Sequence, residues 1–424
     1  MTERLVVVGA GMASGRAIET LIEADPSAYR VTLFGAEPRG NYDRVMLSPV
    51  LAGEKTYDQI VTHDADWYAR AGVETRFGEP VTAIDRARRV VVSARGETPY
   101  DRLLIATGST PFVLPVPGRD LPGVLAYRDL DDVEAMVAMA ATPGRRAVVI
   151  GGGLLGLEAA AGLTARGMAV TVVHLMGHLM ERQLDPEAGR LLHDALAGRG
   201  IAMRLDARTE AILGERAVEG VALADGSEIA ADLVVMAAGI RPNVALARAA
   251  GLAVGRGIEV DDAMTTADPA VLAIGECAEH RGVCYGLVAP LYEQASVAAH
   301  RLLGRAATFE GADLSTKLKV TGCDLFSAGD FADGEGREAI VLRDPARGVY
   351  KRLVLAGDRI VGVVMVGDTA DGGWFFRKLK AREDVSAGRE TLILGPAFAG
   401  SATPDAAAAS PGTAGAAVSA CEAA

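Results

Sequence analysis

Two glycine runs carry the first legible chemistry. Gly9-Ala10-Gly11-Met12-Ala13-Ser14 follows the apolar run Leu5-Val6-Val7-Val8, and Gly151-Gly152-Gly153-Leu154-Leu155-Gly156 follows Ala147-Val148-Val149-Ile150. A dinucleotide pyrophosphate needs backbone N–H donors at close range and a favourable helix dipole. A strand turning sharply into a helix supplies both, and glycines let the chain approach the phosphates. The second run fits G-x-G-x-x-G in full. The first has Ser14 in the last position, small enough for helix–strand packing. One such run is also an ordinary tight turn in many α/β proteins; two, each between a strand and a helix pattern, favour two nucleotide sites.

Other residues extend this chemistry. A carboxylate at the end of the second strand of such a unit reads a ribose 2′-hydroxyl. Glu37, just past the strand pattern at 31–34, fits that role or is a solvated loop carboxylate. In the second unit the acid is missing and His174 ends the pattern at 170–173. That leaves NADH and NADPH open, with NADH favoured, or makes His174 a packed side chain. Two further apolar runs end in Ala106-Thr107-Gly108 and in Gly275-Glu276. Gly275 would let a flavin chain pass close, and Glu276 would accept a hydrogen bond from a ribityl hydroxyl. His174 and His178 form a close pair, but their spacing suits a metal only on a helix, and it falls at a strand end. No metal site is expected.

The elements that must hold these residues repeat. Helix patterns at 16–23 and 157–166 follow the two turns, and second strands at 30–34 and 169–173 follow the helices. Each set is a βαβ unit of a parallel sheet. Strand patterns at 89–93 and 102–106 precede a Pro-rich stretch at 111–122, read as a crossover. Strands at 232–237 and 271–275 and a helix near 292–303 come later. From Lys317 the pattern changes to antiparallel strands at 339–342, 349–355 and 359–366, with a hairpin at Ala356-Gly357-Asp358 and a short helix at 374–380. From residue 397 the chain is rich in Ala, Pro, Ser and Gly and reads as a disordered tail.

The bulk composition agrees. At 424 residues the chain suits two or three domains, and 50% hydrophobic with 5% aromatic residues suits aliphatic α/β cores. A net charge of −12 disfavours nucleic-acid binding. No apolar run reaches bilayer length, and the first residues read as a strand rather than a signal peptide. Four cysteines, at 277, 284, 323 and 421, form no C-x-x-C pair. A disulfide scaffold is disfavoured at this density and a cytoplasmic location fits.

In this order the motifs resemble the glutathione-reductase-like, two-dinucleotide flavoproteins. Tyr42-Asp43-Arg44 with Leu47-Ser48, and Lys317 to Gly322, resemble rubredoxin and ferredoxin reductases. Glu37-Pro38-Arg39, Gly151 to Ala160, His174-Leu175-Met176, Leu179 to Asp185, and Ala273 to Cys277 resemble the flavoprotein part of assimilatory nitrite reductase large subunits and nitrate reductase electron-transfer subunits. The likeness covers about residues 4 to 395. It implies an α/β fold: two Rossmann-like domains with parallel sheets plus a small α+β C-terminal domain. The FAD-binding domain would take 1–113 and 241–312, the NAD(P)H-binding domain 114–240, the C-terminal domain 313–395 and the tail 396–424.

The resemblance implies that Gly9, Gly11, Met12, Ser14, Glu37, Arg44, Ser48, Thr107, Gly108, Arg128, Gly275 and Glu276 hold FAD. Gly151, Gly153, Leu155, Gly156, Glu158, His174 and Gly239 would hold NADH or NADPH, with Glu158 at the nicotinamide end or merely favoured by the helix dipole. The family's disulfide reductases carry a redox cysteine pair in the first FAD helix; here that region has no cysteine, which excludes dithiol chemistry as the main path. Electrons would go to a separate iron–sulfur protein, rubredoxin, or nitrite or nitrate reductase catalytic subunit. Cys421 alone cannot ligate a cluster, so nitrite reduction by this chain alone is not expected. The rival expectations are a rubredoxin or ferredoxin reductase of another pathway and a redox-sensing flavoprotein without useful turnover. Edge strands in the third domain could support a homodimer.

Overall fold

The computed structural model describes residues 2–318 and 323–398. Its first parallel sheet grows from fully buried aliphatic runs, as expected where helices cover both faces. The elements are β1 (Glu3–Val8), α1 (Met12–Ala24), β2 (Tyr29–Gly35), α2 (Leu47–Ala52), β3 (Glu74–Phe77) and β4 (Arg102–Ile105). Val7, Leu33, Leu103 and Ile105 have no more than 1% of their surface exposed, so register is fixed by burial on both faces. The second unit repeats the plan with β5 (Val124–Ala126), α3 (Leu130–Ala140), β6 (Arg146–Ile150), α4 (Leu154–Ala165), β7 (Ala169–Val173), α5 (Pro186–Ala197), β8 (Ala202–Arg204) and β9 (Leu233–Met236). The chain then returns to the first sheet with β10 (Val271–Ala273) and α6 (Val288–Leu302).

The first sheet has the order β10-β4-β1-β2-β3 and the second β5-β9-β6-β7-β8. The repeat is detailed. Gly9 N–H donates to Phe34 O at 2.8 Å and Gly151 N–H to Val173 O at 2.9 Å. Each first glycine also presses on the strand beside its own. A Cβ on Gly9 (φ +111°) would stand 2.1 Å from Ala106 O, and one on Gly151 (φ +126°) 2.3 Å from Ala237 O. Only glycine fits either position. Ser109–Pro111 pairs antiparallel with Ile240–Pro242, so the two passages of chain between the sheets run side by side.

Each parallel sheet is accompanied by an antiparallel three-stranded meander, at Val81–Asp85, Val90–Ser93 and Gly96–Pro99, and at Thr209–Leu213, Gly220–Leu223 and Glu228–Ala230. Only the strand near 89–93 is foreseen from sequence; the others are short and carry too little apolar alternation to stand out. The third sheet has the order β11-β12-β15-β14-β13, with β11 (Ser315–Lys317), β12 (Leu325–Gly329), β13 (Arg337–Asp344), β14 (Val349–Ala356) and β15 (Arg359–Val366). The hairpin forms where Gly357 takes φ +58°. Helix α7 (Gly372–Ala381) lies on this sheet with Phe375 fully buried. Leu318, Leu325, Tyr350 and Val364 join the core of the second unit, so the third sheet is packed against it.

Pro396–Phe398 forms a 3-10 turn at the start of the stretch read as a tail. Lys319 to Gly322 and residues 399–424, including Cys421, lie outside the described residues. Among the described residues no helix is long and apolar enough to cross a membrane.

Candidate functional site

Some helices here are closed at the N-terminus by an acidic side chain. Asp129 caps α3 by accepting from Asp132 N–H at 3.0 Å, and Asp185 caps α5 by accepting from Ala188 N–H at 2.9 Å. Among the helices without such a cap are the two that open at glycine turns. Gly11 and Gly153 are the N-caps of α1 and α4, and neither helix has a side-chain cap. Their leading N–H groups are left for an outside anion. No atom stands within 4 Å of a Cβ built on Gly11, Gly153 or Gly239, so the cradles are open where a phosphate chain would approach. Dinucleotide pyrophosphates fit both.

The remaining residues of the turns work inward. Met12 and Leu155 lie in the first turns of α1 and α4. Ser14 is fully buried, and its hydroxyl donates to Gly11 O at 2.9 Å. A Cβ on Gly156 would stand 2.0 Å from Gly151 O, so this glycine exists for close helix–turn packing. Gly275 (φ +84°) faces Ala13 of α1, and the Gln294 carbonyl accepts its N–H at 3.0 Å.

Around the first turn the structure gathers a polar chain that sequence could only suggest. Glu37 is ion-paired with Arg44 and accepts from the Tyr42 hydroxyl at 2.7 Å. Arg44 donates to the backbone carbonyl of Arg128 at 3.1 Å. The Arg128 guanidinium pairs with Glu276, which also accepts from Ser109 at 2.7 Å. Gly108 lies directly beneath that pair, with its Cβ position 3.5 Å from Arg128 Nη2. The Thr107 hydroxyl donates to Asn243 O at 2.8 Å. Glu276 is therefore not a free acceptor: protein donors already hold it, and they fix its direction.

Ser48 and Glu158, expected at different nucleotides, touch each other. Ser48 on α2 donates to Glu158 on α4 at 2.6 Å. The buried Tyr127 hydroxyl donates to Ser48 at 3.0 Å, and burial pushes its phenol pKa well up, so it stays a donor at neutral pH. The same helices meet where Leu51 fills the space over Gly162; a Cβ there would stand 2.8 Å from Leu51 Cγ. Arg166 closes the contact by donating to the Leu51 and Val50 carbonyls at 2.7 and 3.2 Å. Nothing local in the sequence marks Tyr127.

His174 Nδ1 accepts from Gly152 N–H at 3.1 Å, and its Nε2 meets Glu181 at 3.1 Å. His178 turns to the Leu184 carbonyl instead, so the two rings do not converge. No cluster able to hold a metal occurs among the described residues. Cys277 is fully buried and burial pushes its thiol up, which makes it a poor nucleophile.

Two open glycine turns, with α2 and α4 joined through Ser48 and Glu158, are the arrangement expected of a pyridine-nucleotide-linked oxidoreductase. Residues 3–301 match the family described as Pyridine nucleotide-disulphide oxidoreductase, and residues 315–382 match the Rubredoxin NAD+ reductase C-terminal domain. The chain belongs to the pyridine nucleotide-disulphide oxidoreductase family. It is 48% identical over 93% of its length to the nitrite reductase [NAD(P)H] of Bacillus subtilis (strain 168), covering 49% of that protein. It is 41% identical over 93% of its length to the assimilatory nitrate reductase electron transfer subunit of the same organism, covering 52% of it. The chain thus spans about half the length of these relatives. The crystal structure of the covalent putidaredoxin reductase–putidaredoxin complex superposes with a TM-score of 0.83 at 28% identity, covering 92% of this chain and 98% of that one.

Proposed function

We propose that this chain takes a hydride from NAD(P)H onto FAD and passes the electrons to a separate redox protein in nitrite or nitrate assimilation. The observation that carries the reading is the pair of uncapped glycine turns, with α2 and α4 joined through Ser48 and Glu158, in a chain with no cysteine before Cys277. With no dithiol available in α2, the electrons must leave to an outside acceptor. The assignment to nitrite or nitrate rests on the two relatives named above. In this reading the domains meet at 113/114, 240/241 and 312/313.

In this reading the flavin supplies two-electron acceptance and one-electron release. The protein supplies placement. Gly9 and Gly11, with the first turn of α1 at Met12, hold the FAD pyrophosphate, and Glu37 reads the adenosine ribose. Thr107, Gly108, Arg128, Gly275 and Glu276 line the passage towards the ring system. Gly151, Gly153 and the first turn of α4 at Leu155 hold the nicotinamide nucleotide, with His174 and Gly239 along its path. Glu158, oriented by Ser48, meets the nicotinamide end and fixes the angle at which the pyridine ring is offered.

The test mixes flavin-loaded protein anaerobically with NADH and, one at a time, a ferredoxin, a rubredoxin and a sirohaem nitrite reductase component. Acceptor reduction well above the oxygen rate supports the reading; no acceptor reduced above that rate opposes it. Fastest reduction of rubredoxin would favour a second reading, suggested by the match of residues 315–382.

A further inference from the structure

The first glycine unit ends its second strand beside a carboxylate, Glu37; the second ends in His174. The His174 ring is engaged on both nitrogens. Nδ1 accepts the Gly152 N–H at 3.1 Å and so carries no proton; the ring proton therefore stands on Nε2, 3.1 Å from Glu181 Oε2. A Cβ on Gly152 would stand 2.6 Å from the ring, so the histidine is wedged against the turn. Backbone bonds from Met180 N–H to Gly152 O (2.9 Å) and from His174 N–H to Arg204 O (2.8 Å) hold the loop there. His174 is a post, and what it supports is Glu181.

Glu181 keeps 27% of its side chain exposed and forms no ion pair with Lys or Arg among the described residues. It lines a cavity of about 420 Å³ together with Asp185, Glu187, Asp333 and Arg352. Arg352 is bonded to Asp333 at 2.5 Å and Arg343 to Glu187 at 2.6 Å, so Glu181 is left without a cationic partner of its own among the described residues. Leu175 and Met176, directly after His174, are 61% and 45% exposed and offer an apolar face for a purine.

We propose that Glu181, aimed by His174, reads the 2′-hydroxyl of the adenosine ribose in the nicotinamide nucleotide and makes the protein selective for NADH. This rests on the reading that the Gly151 turn holds that nucleotide. A carboxylate accepts a hydrogen bond from a hydroxyl but repels a 2′-phosphate dianion. The missing acid at the strand end is thus supplied seven residues later, through an imidazole. Arg182 and Arg204, both exposed nearby, are the rival: a phosphate clamp built from them would give the opposite preference.

The test needs no turnover. Binding of ADP-ribose and of 2′-phospho-ADP-ribose is measured by calorimetry on the flavin-loaded protein, the Glu181→Gln variant and the His174→Ala variant. The wild type is expected to favour ADP-ribose by about tenfold or more, and Glu181→Gln to remove most of that preference by weakening ADP-ribose alone. His174→Ala moves the ratio in the same direction. A ratio unchanged in Glu181→Gln, or a wild type that prefers the phosphorylated ligand, overturns this inference alone. Failure of both ligands to bind folded, yellow protein overturns the nucleotide assignment of the Gly151 turn as well.

Discussion

Ser48 shares its hydroxyl between Tyr127 and Glu158 in a buried site, which makes it the most consequential small side chain near the nicotinamide position. Ser48→Ala leaves a buried phenol and a carboxylate without their common partner. The expected cost is about 1–3 kcal/mol of stability. Flavin reduction by NADH should slow about tenfold, because Glu158 loses its orientation. Thermal melting and stopped-flow reduction check the two effects, and unchanged kinetics would remove Glu158 from the hydride path. At this scale the sequence is only partly legible. Ser48 and Glu158 stand in motifs. Tyr127 acts across 79 residues of chain on a hydroxyl that no periodicity connects to it. The ion pair between Arg128 and Glu276 is hidden for the same reason: each residue is visible, but their contact is not.

Among the elements, α2 of the first unit meets α4 of the second where Leu51 lies over Gly162. Gly162→Val places a branched side chain where Leu51 already sits, and overpacking of this kind costs about 1–3 kcal/mol. The melting temperature should fall, and flavin reduction should suffer more than flavin binding, since the damage lies between the two units. Equal melting temperatures would contradict the packing account. A second element-level test uses His63, which packs beside Gly15 of α1 and on the Trp67 ring at 4.2 Å. Burial lowers its pKa, against a smaller opposing pull from Glu19. Its folded pKa lies below the unfolded value, about 6.5. The stability it contributes is therefore complete above about pH 6.5 and is lost as pH falls through that value towards the folded pKa. His63→Gln should flatten the acid side of the stability profile in a pH series of melts; an unchanged slope would show that the ring does not titrate against folding. The βαβ elements were readable because burial on both faces leaves unbroken aliphatic runs. Apart from the strand near 89–93, the meanders were not, and neither was β11, because short strands leave no such pattern.

The whole molecule is one plan used twice and closed by a third sheet. That plan was legible as two glycine turns, each between a strand and a helix. The order of the sheets and the packing of the third one against the second unit were not, because they depend on contacts between distant segments. What the molecule does depends on whether its two cradles serve one flavin and one nicotinamide together. Anaerobic titration of the flavin-reconstituted protein with NADH, followed through the visible flavin absorption, reports this. The account predicts about one flavin retained per chain and loss of its colour with about one equivalent of NADH. A chain that stays colourless after reconstitution, or a bound flavin that neither NADH nor NADPH bleaches, would contradict it.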